Sequence, residues 1–159
     1  MIPVKIKGLS IDASNNSPIV LLEEQDGERT VPIWIGLLEA TAIASELEGI
    51  AFSRPMTHDL VINTLQTLGW SLLKVEIVDI KENIFYASLH LNNVGAEVVQ
   101  IDARPSDAIA LALRAQVPIL VAEHILNNVA PQQPDLDNQE KWRELLERMS
   151  PEDFGKYKM

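Results

Sequence analysis

The sequence has no cysteine, no long apolar run and fewer basic than acidic residues. Without cysteine the chain can form neither disulfides nor thiolate metal sites. No apolar run approaches the ~20 residues that span a bilayer. The N-terminal residues Met1 to Lys5 run straight into an alternating strand pattern instead of a signal peptide. We therefore expect a cytoplasmic protein that has no membrane partner.

The shortage of positive charge limits how the chain can bind polyanions. There are 13 basic and 23 acidic residues, for a net charge of −10. Phosphate binding normally rests on clustered Lys and Arg. The excess of acidic residues therefore argues against non-specific electrostatic binding of nucleic acid. Any polyanion site must be a local patch or be screened by a bound cation.

Three common catalytic motifs are also missing. The chain has no phosphate-binding glycine loop, no Gly-x-Ser-x-Gly turn and no His-Glu-x-x-His pair. The serine-hydrolase interpretation is weak because Ser106 has no adjacent histidine in the sequence.

What is present is a series of alternating apolar segments separated by turns, interrupted by Ala-rich helical segments. This pattern predicts an α+β fold with a mostly antiparallel sheet and packed helices. Thr57 and Ser106 are expected to bind the free backbone donors of two helix starts. The predicted strands cover 4–12, 19–24, 30–35, 71–80, 84–91, 96–101 and 118–122, and the helices cover 37–47, 59–68, the segment from 106, and 123–129.

An internal repeat links the two halves of the chain. A shift of 68 residues places Gly27 on Gly95 and Glu39 on Asp107, and it aligns the alanines that follow them. We infer a duplicated β-β-β-α unit. If the inference is correct, Glu39 and Asp107 begin equivalent helices and face a common cleft.

The chain divides near residue 130. Residues 1–130 are predicted to form the domain, and 131–159 a linker followed by an amphipathic helix from Gln139 to Met149. The apolar side of that helix favours docking on its own domain or on a dimer partner. Because symmetric dimers are the commonest oligomers, we expect a homodimer.

Candidate functional groups concentrate in two segments. Within six residues the chain places Asp102, Arg104, Ser106 and Asp107 between a strand and an apolar helix. Helix capping and one salt bridge can explain this cluster. The second segment runs from Arg54 to Asp59 and contains His58, which could act as a general base, a metal ligand or a phosphate ligand, or be an ordinary exposed histidine.

The carboxylates of the two segments and of the first predicted helix offer oxygen donors of the kind that hard divalent cations prefer. They are Glu39, Asp59, Asp102 and Asp107. A bound Mg²⁺ or Mn²⁺ could polarise a phosphate and activate a water, with Arg104 stabilising developing charge.

Three segments resemble the bifunctional nuclease family of bacteria and plants. They are Pro32-Ile33-Trp34-Ile35-Gly36 followed by Glu39-Ala40, then Arg54 to Leu60, then Ile101 to Ala112. The resemblance implies a compact α+β domain, often oligomeric, and cleavage of RNA and DNA by at least some plant members.

Carried over to the matching positions, the resemblance implies three sets of site residues. The catalytic set is Glu39, His58, Asp59, Asp102, Arg104 and Asp107. The substrate-binding set is Arg54, Arg104 and Ser106. The metal ligands are Glu39, Asp102 and Asp107.

Two other interpretations remain open from the residues. The chain could be a non-catalytic regulatory or binding module whose polar cluster recognises a small anion or a protein partner. Arg104 could also simply pair with Asp102 or Asp107 inside a dimer interface, where losing one partner would leave an uncompensated charge.

Overall fold

The computed structural model describes residues 1–95 and 97–129, which form seven strands and four helices. All strands except Val99–Ala103 contain buried side chains, and that strand is exposed over most of its length. The strands are β1 (Ile2–Ile11), β2 (Pro18–Glu24), β3 (Thr30–Trp34), β4 (Trp70–Lys81), β5 (Ile84–Asn93), β6 (Val99–Ala103) and β7 (Ile119–Val121). The helices are α1 (Leu37–Leu47), α2 (Thr57–Thr67), α3 (Pro105–Ala115) and α4 (Glu123–Asn128).

The strands form one sheet in the order β3-β2-β1-β7-β4-β5-β6. All neighbours pair antiparallel except β4 and β7, which run parallel. The short strand β7 thus joins two antiparallel three-stranded units in the middle of the sheet. The predicted α+β class with a mostly antiparallel sheet is confirmed. The element order contains β-β-β-α twice, but the duplication itself stays a prediction.

Small side chains let the helices approach one another closely. In α3, Ala108, Ala110 and Ala112 are almost fully buried, and α1 buries Ala40 and Ala44. These two helices contact each other, and α2 also contacts α3. Contacts between side chains where the helices start show that the N-terminal end of α3 lies next to those of α1 and α2.

Two predicted helix caps are wrong. The residue before α2 is Met56, so Thr57 lies inside the helix, and the Met56 N–H donates to Asp59 Oδ2 at 2.9 Å. Helix α3 begins at Pro105 because its missing N–H costs nothing in the first turn. That start makes Arg104 the cap residue, and Ser106 lies buried inside the first turn of the helix.

The predicted linker and amphipathic helix of 131–159 lie outside the described residues. None of the four helices α1 to α4 is long and apolar enough to cross a membrane.

Candidate functional site

Residues far apart in the sequence meet where the three helices begin. Glu39 lies in the first turn of α1, His58 in the first turn of α2, and Arg104 and Asp107 at the start of α3. The first turn of a helix favours carboxylates because its backbone N–H groups carry partial positive charge. The site thus combines ordinary helix-start chemistry with an arginine and a histidine that helix starts do not need.

Arg104 joins two carboxylates. Its Nε lies 2.7 Å from Asp107 Oδ2, and its Nη1 lies 2.9 Å from Glu39 Oε1. The Arg104 side chain is 63% exposed, whereas the two carboxylates are mostly covered. The guanidinium is thus oriented by the protein while its outer side faces solvent.

A glycine makes room for one of these carboxylates. A Cβ atom at Gly36 would collide with the carboxylate of Glu39. Gly36 precedes α1 and has an ordinary φ of −78°, so the backbone conformation does not require glycine here. A larger residue at this position would require the flexible Glu39 side chain to shift.

His58 and Asp107 form the second pair of the site. His58 Nε2 lies 2.8 Å from Asp107 Oδ1, and the imidazole is largely covered by protein. An ionised carboxylate only accepts hydrogen bonds, so Nε2 must be the nitrogen that carries the proton. In the neutral ring, Nδ1 is then left as an acceptor, as in other histidines oriented by a carboxylate.

The charges around Asp107 keep it ionised. Burial acts to raise the pKa of the Asp107 carboxyl, but hydrogen bonds from Arg104 and His58 outweigh it and lower the pKa below its usual range. The same contact with Asp107, followed by the weaker one with Glu39, raises the pKa of Arg104. The pair is therefore fully charged at neutral pH.

This lowered pKa predicts an acid-dependent contribution to stability. A carboxyl whose pKa is lower in the folded state stabilises it above the unfolded pKa, about 3.9 for Asp. The contribution disappears as the pH falls through the folded value. The difference in unfolding free energy between wild type and Asp107→Asn should therefore be constant above about pH 5 and shrink below about pH 4. Urea unfolding at several pH values measures it, and a constant difference would contradict the assignment.

Asp59 belongs to a different contact. Arg114 Nε donates to Asp59 Oδ1 at 2.8 Å, and its two terminal nitrogens donate to the carbonyl oxygens of Ala110 and Ala42. The Arg114 side chain is only 6% exposed. One buried arginine thus forms hydrogen bonds with α1, α2 and α3.

A cavity of about 640 Å³ opens beside these charged groups. That volume lies within the range of about 300–1,000 Å³ typical of small-molecule sites. Glu39, His58, Arg104, Asp107 and Arg114 contribute to its lining. Most of its remaining lining is apolar: Leu38, Ala42, Phe52, Met56, Val61, Leu89, Ala103 and Leu111.

The other predicted site residues are placed differently. Asp102 is exposed and lines the cavity, and it has no ion-pair partner among residues 1–95 and 97–129. Arg54 is exposed in the loop before α2 and does not line the cavity. Ser106 is buried in α3 and does not line it either.

The donor set does not fit a preformed divalent-cation site. Such cations bind several carboxylate or carbonyl oxygens at once. In the part of the chain that the structure describes, no three His, Asp or Glu side chains are grouped to hold a metal. Arg104 already binds Glu39 and Asp107, so a cation there would lie against a guanidinium.

The match to known proteins agrees with this arrangement of motifs. The protein-family model of the bifunctional nuclease domain matches residues 20–133 of this chain. The chain belongs to the bifunctional nuclease domain family. The matched range contains Glu39, His58, Arg104, Asp107 and the lining of the cavity. The family resemblance inferred from the three segments is thereby confirmed.

Individual relatives differ in how much of them is matched. An uncharacterized protein of Mycobacterium tuberculosis is 41% identical over 95% of this chain and 96% of its own length. Bifunctional nuclease 1 of Oryza sativa subsp. indica is 29% identical over 74% of this chain. Bifunctional nuclease 1 of Arabidopsis thaliana is 27% identical over 68%. The matches span only 36% and 34% of the two plant proteins, so they concern one part of longer chains.

Sequence reasoning missed Arg114 and Phe52. Arg114 carried a usable signal, because it ends an otherwise apolar helix and lies seven residues after Asp107, which is two helical turns and nearly the same face. Phe52 carried none, since one aromatic residue in a loop has no pattern to indicate that it lines a cavity.

Proposed function

We propose that this protein is a nuclease that hydrolyses phosphodiester bonds in RNA and DNA. The observation that carries the proposal is the hydrogen-bonded series Glu39–Arg104–Asp107–His58, which borders a cavity within the matched domain. It offers a base and a cation next to each other, and phosphodiester hydrolysis uses both. The names of the plant relatives agree with this activity.

In the proposed reaction His58 is the general base. Its Nδ1 accepts a proton from a water molecule, and the water oxygen forms a bond to phosphorus. The bond from phosphorus to the leaving oxygen breaks, that oxygen takes up a proton from solvent water to become a hydroxyl, and the His58 imidazolium then returns its proton to solvent. Asp107 holds the imidazole in the required tautomer and stabilises the imidazolium that forms.

Arg104 supplies positive charge to the phosphate. Its exposed guanidinium face can donate to the non-bridging oxygens, whose negative charge grows in the transition state. Glu39 and Asp107 hold the other side of the same group, so its position is set before the substrate binds. A charge that is already in position stabilises the transition state without the cost of reorienting it during the reaction.

Hydrolysis by water predicts that the sugar 2′-hydroxyl is not required. RNA and DNA strands of equal sequence should be cut with similar rates and leave no cyclic phosphate. The assay incubates labelled single strands with the full chain in EDTA, Mg²⁺ or Mn²⁺. Cleavage in EDTA would support catalysis by His58 and Arg104 alone, and cleavage that needs a cation would restore the metal-assisted mechanism predicted from the sequence.

His58→Gln is the variant that tests the base. The glutamine amide can still donate to Asp107 but has no basic nitrogen, so cleavage should fall by about 10²-fold or more while the fold persists. His124→Gln is the matched control, since His124 is 53% exposed and lies outside the cavity. Equal activity of both variants would refute the role of His58.

Absence of cleavage by wild type under every condition would favour the non-catalytic module. Its polar cluster would then bind a small anion or a partner chain through Arg104. A cytoplasmic location and a homodimer stay predictions.

A further inference from the structure

Few cationic side chains of the domain are available to bind the phosphates of a nucleic acid. Residues 1–95 and 97–129 contain eight Lys and Arg side chains and 16 Asp and Glu side chains. Seven of the eight cations form ion pairs with carboxylates of this part of the chain. The eighth, Arg54, does not line the cavity. A substrate therefore meets few free cations, and its affinity must come from another source.

The cavity can provide affinity for a substrate through apolar contacts. Phe52, Met56 and Leu111 give it apolar walls of the kind that bind a flat heterocycle. Nucleobases stack on aromatic side chains regardless of their identity, because each base has a π face. At the edge of the same cavity, the exposed Asp102 offers carboxylate oxygens that no cation of the described chain neutralises.

We propose that this cavity binds one unpaired nucleobase next to the scissile phosphate. The proposal rests on the proposed nuclease function and specifies its substrate as single-stranded RNA or DNA. The base packs between the apolar walls, and the phosphate that follows it lies at Arg104. A base inside a duplex cannot enter without leaving its stack and its partner, which disfavours duplex substrates.

Asp102 gives the cavity a preference among bases. A carboxylate accepts hydrogen bonds but donates none, so it favours the exocyclic amino groups of adenine, cytosine and guanine. Uracil and thymine present no amino group, and their one ring donor, N3–H, lies between two carbonyl oxygens that a carboxylate repels. Cleavage should therefore be slow beside uracil and thymine.

Binding of nucleosides without phosphate is the direct test. Adenosine and cytidine, titrated into the full chain and followed by calorimetry or NMR, should bind at one site and inhibit cleavage. Uridine should bind more weakly by about tenfold, which corresponds to one lost hydrogen bond to a charged group. Binding should change little between low and high salt, because no phosphate counterions are released.

Two variants separate stacking from packing. Phe52→Leu keeps an apolar side chain but removes the ring, and it should weaken adenosine binding by about 5- to 100-fold. Tyr86→Leu removes a half-exposed ring that is not part of the cavity lining, and it should have no effect. Thermal unfolding of both variants shows whether the fold is kept. If Phe52→Leu does not fold, cleavage of a single strand against its duplex by wild type provides the same test.

The outcomes distinguish this proposal from the one on which it rests. Cleavage of duplex and single strand at equal rates, with no nucleoside binding, would overturn the base site and leave the nuclease. Nucleoside binding with no cleavage under any condition would support the base site and overturn the nuclease. Binding of uridine as tight as that of cytidine would remove the role of Asp102.

Discussion

Replacing Asp107 with asparagine is expected to lower the cleavage rate by about 10⁴-fold, although the side chain keeps its shape. The reason lies in the two partners of the carboxylate. Arg104 and the protonated Nε2 of His58 both donate to it, one to each oxygen. An amide has one oxygen and one NH₂ group, so it can accept from only one of them.

The amide oxygen should turn to Arg104 because its charge makes the stronger hydrogen bond. The NH₂ group then faces His58 Nε2 and can bind it only if that nitrogen has no proton. The neutral ring must therefore move its proton to Nδ1, which is the atom that the proposed reaction uses as the base. The substitution thus disables catalysis without opening a cavity in the core.

The assay for Asp107→Asn is cleavage of a labelled single strand together with urea unfolding of the same sample. Loss of one charged hydrogen bond should cost about 1.5–3 kcal/mol, which leaves the variant folded. His58 in the variant should show an inverted tautomer by ¹⁵N NMR. A folded variant with unchanged cleavage would show that Asp107 is not part of the machinery and would place the reaction elsewhere.

Much of the fold could be predicted because its elements follow local patterns. Helix α1 was predicted with its observed bounds, and six of the seven strands differ from their predicted bounds by at most two residues at either end. Strand β6 is the exception. Its alternation predicted a start at residue 96, but it starts at Val99, opposite Leu91. The pairing with β5 carries it to Ala103, because Asp102 and Ala103 lie opposite Ser88 and Ala87. Register between strands is a tertiary property that one strand does not encode.

The family resemblance grouped the residues of the candidate site, but a contact between distant residues was predictable only where the repeat connected them. The shift of 68 residues aligned Glu39 with Asp107, and the structure joins both through Arg104. It offered no partner for His58, whose contact with Asp107 spans 49 residues. The cavity could not be predicted at all, since its walls come from α1, α2, α3, β5, β6 and a loop. Packing of these elements, and not any one motif, creates the space.

Asp59→Ala is expected to destabilise the domain by about 3–5 kcal/mol, more than any other single carboxylate in the site. Arg114 is 6% exposed, and Asp59 is the only carboxylate to which the described structure pairs it. Removing that partner leaves a buried positive charge whose remaining hydrogen bonds in the described structure go to two backbone carbonyl oxygens. The Met56 N–H at the start of α2 loses its acceptor as well.

Urea unfolding measures this cost, and Asp102→Ala is the matched control. Asp102 is exposed and has no ion-pair partner in the described chain, so its replacement should change the free energy of unfolding by less than about 0.5 kcal/mol. The double variant Asp59→Ala/Arg114→Met should be more stable than the sum of its single changes predicts, because it removes both charges. A cost below about 1 kcal/mol for Asp59→Ala would mean that Arg114 reaches water without its partner.

Asp59→Ala also tests whether the ion pair with Arg114 positions His58 for the reaction. His58 precedes Asp59 in the first turn of α2, and Arg114 holds that turn against α3, where Asp107 lies. Loss of the ion pair should therefore shift His58 away from Asp107 and lower the turnover rate more than it changes substrate affinity. A purely structural role for Asp59 would instead leave the turnover rate of the folded fraction intact. Comparing kcat with KM at low urea, where the variant remains folded, distinguishes a positioning residue from a simple structural one.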